Sequence, residues 1–233
     1  MKLLVTTRAD SAVYEMAFHT HPLIVNYANK CGADFLILQE KSECEVGHGK
    51  HHFKIMELGN LLEEYDRVLC VDSDILIRDT CPNLFDVVPY DNIGTIYEDK
   101  GTRREDRHER IRLSQKQFGD VGWTEGYINT GVFLVSKPHA NIFEKIDGEF
   151  YTGRGFDDVH LGYLINKYNH PVTELPYQYN HMTMFSEDWN GSPNRFDSHI
   201  IHYAGGGIFD SGIYTKVQQI ASDKDYIMKE AKV

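Results

Sequence analysis

At 233 residues, with 41% hydrophobic and 12% aromatic residues, the chain is long enough for one domain with a substantial core, and its composition excludes a disordered polymer. A formal net charge of −11 argues against nonspecific attachment to nucleic acid or to an anionic membrane, although an acidic site can still take a polyanion through a divalent metal. Cys31, Cys44, Cys70 and Cys81 show no C-x-x-C spacing and read as reduced thiols, the N-terminus is too short an apolar run for a signal peptide, and no segment reaches membrane-span length. A soluble cytoplasmic protein, one domain over residues 1–233, is the expectation.

In chain order, "KLLVT", "DFLILQ", "RVLCV" and "NIGTI" are short apolar runs bounded by turn residues and separated by helix-like stretches. That alternation predicts an α/β fold with a mostly parallel central sheet flanked by helices. Pro22 is expected to start a helix through "LIVNYANK", with Gly32 as its stop. Ile55, Leu58, Leu62 and Tyr65 mark one face of a second helix. From Glu98 to Asp120 the chain is dense in charge and nearly free of apolar residues, which suits a solvated face, a mobile loop or an acceptor-side lid. "GYINTGVFLVSK" returns to strand pattern, "FDDVHLGYLINKY" predicts a helix with Leu161, Leu164, Ile165 and Tyr168 on one side, and "HIIHYA" is a last strand leading into Gly205, Gly206 and Gly207. The histidines of "HGKHH", positions 48 to 52, read as an exposed loop with weak adventitious metal affinity.

The stretch "YDRVLCVDSDILI" ends an apolar strand on Asp72 and Asp74. Ligands of open α/β sheets bind beyond the carboxyl ends of strands, and residues two apart on a strand share a face. Two converging carboxylates suit Mg²⁺ or Mn²⁺, which neutralises a diphosphate. A bare D-x-D also serves as a turn cap with one exposed acid, so its context decides.

That context is a resemblance. "YDRVLCVDSDILI", "YINTGVFLVSK", "GFDDVHLGYLINKY" and "HIIHYAGGG" follow one another as do the motifs of metal-dependent glycosyltransferases of the Rossmann-like GT-A fold, most closely the retaining family 8 that includes glycogenin and bacterial galactosyltransferases. The resemblance runs from the first strand to about Gly207. It implies a nucleotide diphosphate sugar as donor, a sugar or glycan hydroxyl as acceptor, and Mn²⁺ or Mg²⁺ as cofactor. Asp74 and His202 would be direct metal ligands, with Asp72 shared between metal and donor ribose. Asn129 and Lys54 would lie near the donor, and Thr6, Thr7 and Tyr14 at the nucleotide base. Asp157 and Asp158 match the family's D-Q pair, with Asp158 facing the anomeric carbon and one of the two available to cap the helix. The usual H-F-x-G-x-x-K-P-W departs here: Ile208, Phe209 and Asp210 stand where K-P-W is common, leaving backbone N–H groups around Gly205 to Gly207 as a substitute for the diphosphate lysine.

Two other readings compete. "VLCVDSDILI" also resembles the D-x-D of haloacid-dehalogenase-type phosphatases, in which the first aspartate is the nucleophile, but Leu76 stands where Thr or Val is usual. A noncatalytic module that holds a nucleotide sugar or glycan would not need the full metal set.

Overall fold

Residues 1–39, 51–191, 194–206 and 209–230 are described by a computed structural model. The apolar runs form strands and the segments between them form helices, in the alternation that the sequence predicts. The first half runs β1 (Leu3–Arg8), α1 (Tyr14–Lys30), β2 (Asp34–Leu38), α2 (Leu58–Glu64), β3 (Arg67–Val71), β4 (Ile75–Ile77), α3 (Leu84–Val87) and β5 (Ile93–Tyr97). The second runs α4 (Arg104–Phe118), β6 (Ile128–Ser136), α5 (Phe156–Lys167), β7 (Val172–Glu174), β8 (His181–Met182), β9 (Ile200–His202) and α6 (Lys216–Glu230).

The main sheet has the order β2-β1-β3-β6-β5-β7. β1 runs parallel to β2 and β3, β7 runs parallel to β5, and β6 lies antiparallel between β3 and β5. The sheet is therefore mostly parallel, with one reversed strand. That reversal positions the site, because it brings the beginning of β6 to the edge where β1, β3 and β5 end. The last strand, β9, pairs with β4 and β8 in a separate small sheet, so "HIIHYA" does not extend the main one.

Successive strand residues face opposite sides of a sheet, and here each side has its own core. Leu4, Val68, Cys70, Phe133 and Val135 pack with Leu58 and Leu62 of α2, Ile111 of α4 and Leu161, Leu164 and Ile165 of α5. Val5, Leu69, Val71, Val132 and Leu134 pack with Ile24, Tyr27 and Ala28 of α1 and Leu84 and Phe85 of α3. A strand shifted by one residue would exchange its two faces between these clusters, which fixes the register.

Three local expectations change. Helix α1 begins well before Pro22, which sits inside it. A proline there forfeits one backbone hydrogen bond, and the buried stripe of Ala17, Thr20, Leu23, Ile24 and Tyr27 outweighs that loss; Gly32, at φ +64°, does end the turn. His52–Glu57 is a 3₁₀ segment that leads into α2, so the apolar face from Ile55 to Leu62 spans two helix types. The charged stretch after Glu98 is neither loop nor wholly solvated: α4 buries Arg107 against Glu98 as an ion pair, together with Ile111 and Ser114. Polar pairing replaces the apolar stripe there, and a search for periodic hydrophobicity misses it. Tyr168 stands at the end of α5 and is partly exposed, while Leu161, Leu164 and Ile165 are buried.

Cys31, Cys70 and Cys81 are free and buried; Cys44 lies outside the described residues. Among the described residues no helix is long and apolar enough to cross a membrane.

Candidate active site

A cavity of about 1010 Å³ opens at the sheet edge where β1 and β3 end and β6 begins. β3 delivers Asp72 immediately beyond Val71, and the Asp72 N–H donates to Gly131 O at 2.9 Å. The pairing of β4 with β9 sets Ile75 opposite His202, so the chain reversal through Ser73 and Asp74 presents that pair to the imidazole. His202 Nε2 lies 3.3 Å from Asp74 Oδ1 and 3.5 Å from Asp72 Oδ2.

Among the described residues this is the one metal-ligating group found, its ligand atoms all within 4.8 Å of one another. Neighbouring ligands of an octahedral ion with ~2.1 Å bonds lie about 3 Å apart, and the 3.3 and 3.5 Å separations of His202 from the two carboxylates are near that spacing. Two hard carboxylates and one imidazole suit Mn²⁺ better than a purely oxygen-seeking ion. The electrostatics agree with a cation site. Burial would raise the Asp74 carboxyl, yet His202 and Lys216 hold it well below the ordinary range, and Asp74 and Asp72 raise His202 against the opposite effect of burial. Lys216, the first residue of α6, places Nζ 2.8 Å from Asp74 Oδ2. Arg8, the last residue of β1, pairs with Asp72 on one side and reaches Asp157 Oδ2 at 2.7 Å on the other. Protein cations thus balance, within the cavity, the carboxylate charge that also suits a metal ion.

Across from the trio, α5 begins with Asp157 and Asp158. Gly155 occupies the N-cap position with no side-chain cap bond, and neither aspartate caps the helix. Both turn inward. Asp157 accepts from Thr130 Oγ1 at 2.8 Å, and Asp158 Oδ1 accepts from Thr130 N at 2.9 Å. The approach is strained: Gly155 has φ +95°, where a Cβ would come within 2.3 Å of the Tyr127 hydroxyl, and Phe156 has φ +36°, a region that bulky side chains avoid. His52 Nδ1 lies 3.4 Å from Asp157 Oδ1, and its ring stacks on Phe156. Burial alone would raise Asp157, but Arg8 and His52 keep it ionised. Burial, Asp157 and Glu98 act together on the half-buried Asp158 and push its carboxyl up to about 8. The two acids therefore differ at neutral pH: Asp157 is an anion and Asp158 carries a proton.

Of the residues singled out in the sequence, Asp72, Asp74, His202, Asp157, Asp158, Asn129, Lys54 and Gly205 line this cavity. Thr6, Thr7, Tyr14 and Gly206 do not. Thr6 is buried in β1 and donates to Leu36 O at 2.8 Å, while the Thr7 hydroxyl is buried with no hydrogen-bond partner among the described residues. Tyr14 begins α1 and is 60% exposed; the cavity wall beyond β1 is instead built from Asp10, Ser11, Ala12, Val13 and Met16. Lys54 reaches Asp10 at 3.3 Å. Gly205 lines the cavity at φ +58°, Gly206 is exposed, and Gly207, the last of the glycine run, lies outside the described residues. Of "HGKHH", His51 and His52 are described and line the cavity, but neither joins the metal-ligating group. Sequence reading misses Arg8, Thr130 and Lys216, whose roles depend on partners far away in the chain.

No known family profile matches the chain, and no curated protein matches it. Solved structures do. A bifunctional glycosyltransferase, WbbM, superposes with a TM-score of 0.65 at 13% identity, over 99% of this chain and 51% of that one. The galactosyltransferase LgtC, in complex with donor and acceptor sugar analogs, gives 0.59 at 17% identity over 98% and 95%. The chain adopts the GT-A fold. GlyE of Streptococcus pneumoniae TIGR4, also a glycosyltransferase, gives 0.59 at 14% identity, over 100% of this chain and 63% of that one. The chain thus spans about half of the WbbM chain and nearly all of LgtC. With the GT-A fold, the Asp72, Asp74 and His202 trio lies at the carboxyl edge of the sheet, where this class of fold binds ligands.

Proposed function

We propose that the chain is a metal-dependent, retaining glycosyltransferase that moves a hexose from a nucleotide diphosphate sugar, a UDP-sugar in preference, to a hydroxyl acceptor, acting in the cytoplasm. The observation that carries this reading is the meeting, in one cavity, of a two-carboxylate and imidazole trio with a second pair of carboxyls, Asp157 and Asp158, that both turn inward onto Thr130. Solved glycosyltransferases of the same fold support it.

Asp72, Asp74 and His202 would hold Mn²⁺, which when bound offsets the charge developing on the leaving diphosphate. Lys216 is placed to do the work of the lysine that is missing after His202. Its ammonium pairs with Asp74 and is free to turn to an incoming diphosphate once a metal neutralises that carboxylate. Asp158 has the protonation state of an acid before substrate arrives. In its deprotonated form the carboxylate would stabilise, or attack, an oxocarbenium-like anomeric carbon as the nucleotide diphosphate leaves with the electron pair of the broken bond. Arg8 and Thr130 hold Asp157 in place as the fixed neighbouring anion.

The phosphatase alternative needs Asp72 as a free nucleophile, but Asp72 is paired with Arg8. The two chemistries separate in one assay. With Mn²⁺ or Mg²⁺ the protein should leave p-nitrophenyl phosphate intact, while UDP with Mn²⁺ should raise the melting temperature more than either alone. Rapid phosphate-ester cleavage lost in Asp72→Asn would replace the transferase reading with the phosphatase.

A further inference from the structure

His202 shows Nε2 to the two aspartates, and its other ring nitrogen, Nδ1, lies 2.8 Å from Asn180 Oδ1. Asn180 Nδ2 in turn donates to Asn129 Oδ1 at 2.9 Å. Asn129 Oδ1 also accepts from Gly131 N at 3.0 Å, and Asn129 Nδ2 donates to Glu98 Oε2 at 3.1 Å. Glu98 is held from behind by its ion pair with Arg107 of α4. Asn180 is fully buried, as are Glu98 and Arg107 to within a few per cent, so both ends of the chain of bonds are shielded from water, while Asn129 between them lines the cavity.

An amide side chain can turn over and exchange its donor and acceptor, but here both ends of the chain forbid it. The backbone N–H of Gly131 can only donate and the Glu98 carboxylate accepts, which fixes the amide of Asn129 with its oxygen toward Gly131. Asn180 then has to present its NH₂ to Asn129 and its oxygen to His202. An oxygen acceptor at 2.8 Å requires that Nδ1 carry the hydrogen. A neutral ring with Nδ1–H has its lone pair on Nε2, the atom that faces Asp72 and Asp74. The same bonds stop the ring from rotating, and Gly131 gives it room: a Cβ there would lie 2.4 Å from His202 Cε1.

We infer that Asn180, Asn129 and Glu98 form a positioning relay that orients His202 and fixes its hydrogen so that Nε2 binds a divalent metal ion. This rests on the metal site of the proposed function and changes the part of Asn129 in it. Its oxygen accepts from Asn180 and Gly131 and its NH₂ donates to Glu98, so it acts on the metal through His202 as well as lining the cavity.

Mn²⁺ titration followed by electron paramagnetic resonance, with thermal melts, on wild type, Asn180→Ala and Asn180→Asp tests the inference. The alanine variant should bind Mn²⁺ roughly 10- to 100-fold more weakly, the usual loss when a ligating histidine loses its outer partner. The aspartate variant keeps an oxygen facing Nδ1–H but loses the NH₂ that donates to Asn129, and should bind Mn²⁺ more tightly than the alanine variant. A folded Asn180→Ala with unchanged affinity would overturn the relay, and so would a folded Asn180→Asp as weak as the alanine variant. A wild-type protein that binds no Mn²⁺ would remove the metal reading, and the relay with it; loss confined to the variants' melting temperatures would overturn the relay alone.

Discussion

Asp158→Asn should lower turnover by orders of magnitude, leave donor affinity nearly unchanged and raise the melting temperature. The first two effects follow if the carboxylate interacts most strongly with charge that appears only in the transition state. The third follows from the side chain's surroundings. The folded protein keeps a proton on Asp158 up to about pH 8, whereas an unfolded chain releases it near 3.8. Between those values the folded state binds more protons, so stability falls as pH rises through that window. Asparagine can accept the same Thr130 N–H and has no charge to lose. At pH 8 the variant should melt above wild type, and the gap should close toward pH 4. Catalysis has the opposite slope. If the anion is the active form, wild-type kcat/KM rises with pH toward a plateau above about 8. Differential scanning calorimetry and initial rates across pH 5–9 read both slopes. A variant with near-normal turnover would reduce Asp158 to a buried acid without a catalytic part.

His202→Ala and Asp74→Asn should each weaken Mn²⁺-dependent nucleotide diphosphate binding at least about 100-fold, because each removes one of three protein ligands. The fold should survive both. Lys216, freed by Asp74→Asn, has a side chain with 28% exposure and can turn to solvent. Lys216→Ala should move two affinities in opposite directions. Mn²⁺ alone should bind more tightly once the ammonium no longer competes for Asp74, and UDP in the presence of Mn²⁺ should bind less tightly once the diphosphate loses a cation. Isothermal titration of each ligand settles the signs. Unchanged Mn²⁺ dependence in His202→Ala would remove it from the ligand set.

The strands are legible in the sequence because a buried strand shows in its own residues: "VLCV" is apolar throughout and, with Arg67 before it, is buried throughout. Asp72 and Asp74 are legible for the same local reason, an abrupt change from apolar to acidic at a strand end. His202 is less so, since its part depends on β9 pairing with β4, a contact across more than a hundred residues. Arg8 and Lys216 escape notice because their partners, Asp157 and Asp74, lie 149 and 142 residues away and nothing local marks the pairing. Asn180 follows two tyrosines in a turn and looks like any turn asparagine until His202 is placed beside it. Glycines in a sequence suggest backbone freedom, but Gly131 matters for its missing side chain, which leaves room for the His202 ring. Thr6 and Thr7 fail in the other direction. They do stand on the first strand, but the sheet uses that part of β1 for its core and reaches the cavity first with Arg8. Helix α4 shows the limit of hydrophobic periodicity, as its inward side is held by Arg107 and Glu98 rather than by an apolar stripe.

The central claim is that this cavity cleaves the bond between a sugar and a nucleotide diphosphate with help from a divalent metal, and that the sugar keeps its anomeric configuration. Proton NMR of the protein incubated with Mg²⁺, then Mn²⁺ at trace level, and a panel of UDP-sugars observes bond and configuration together. The account predicts metal-dependent release of UDP from at least one donor, abolished by EDTA and by His202→Ala, with the first-formed sugar or glycoside carrying the anomeric signal of the donor. Release of a product with the inverted anomeric signal, or cleavage that is unchanged by EDTA and by His202→Ala, would contradict it.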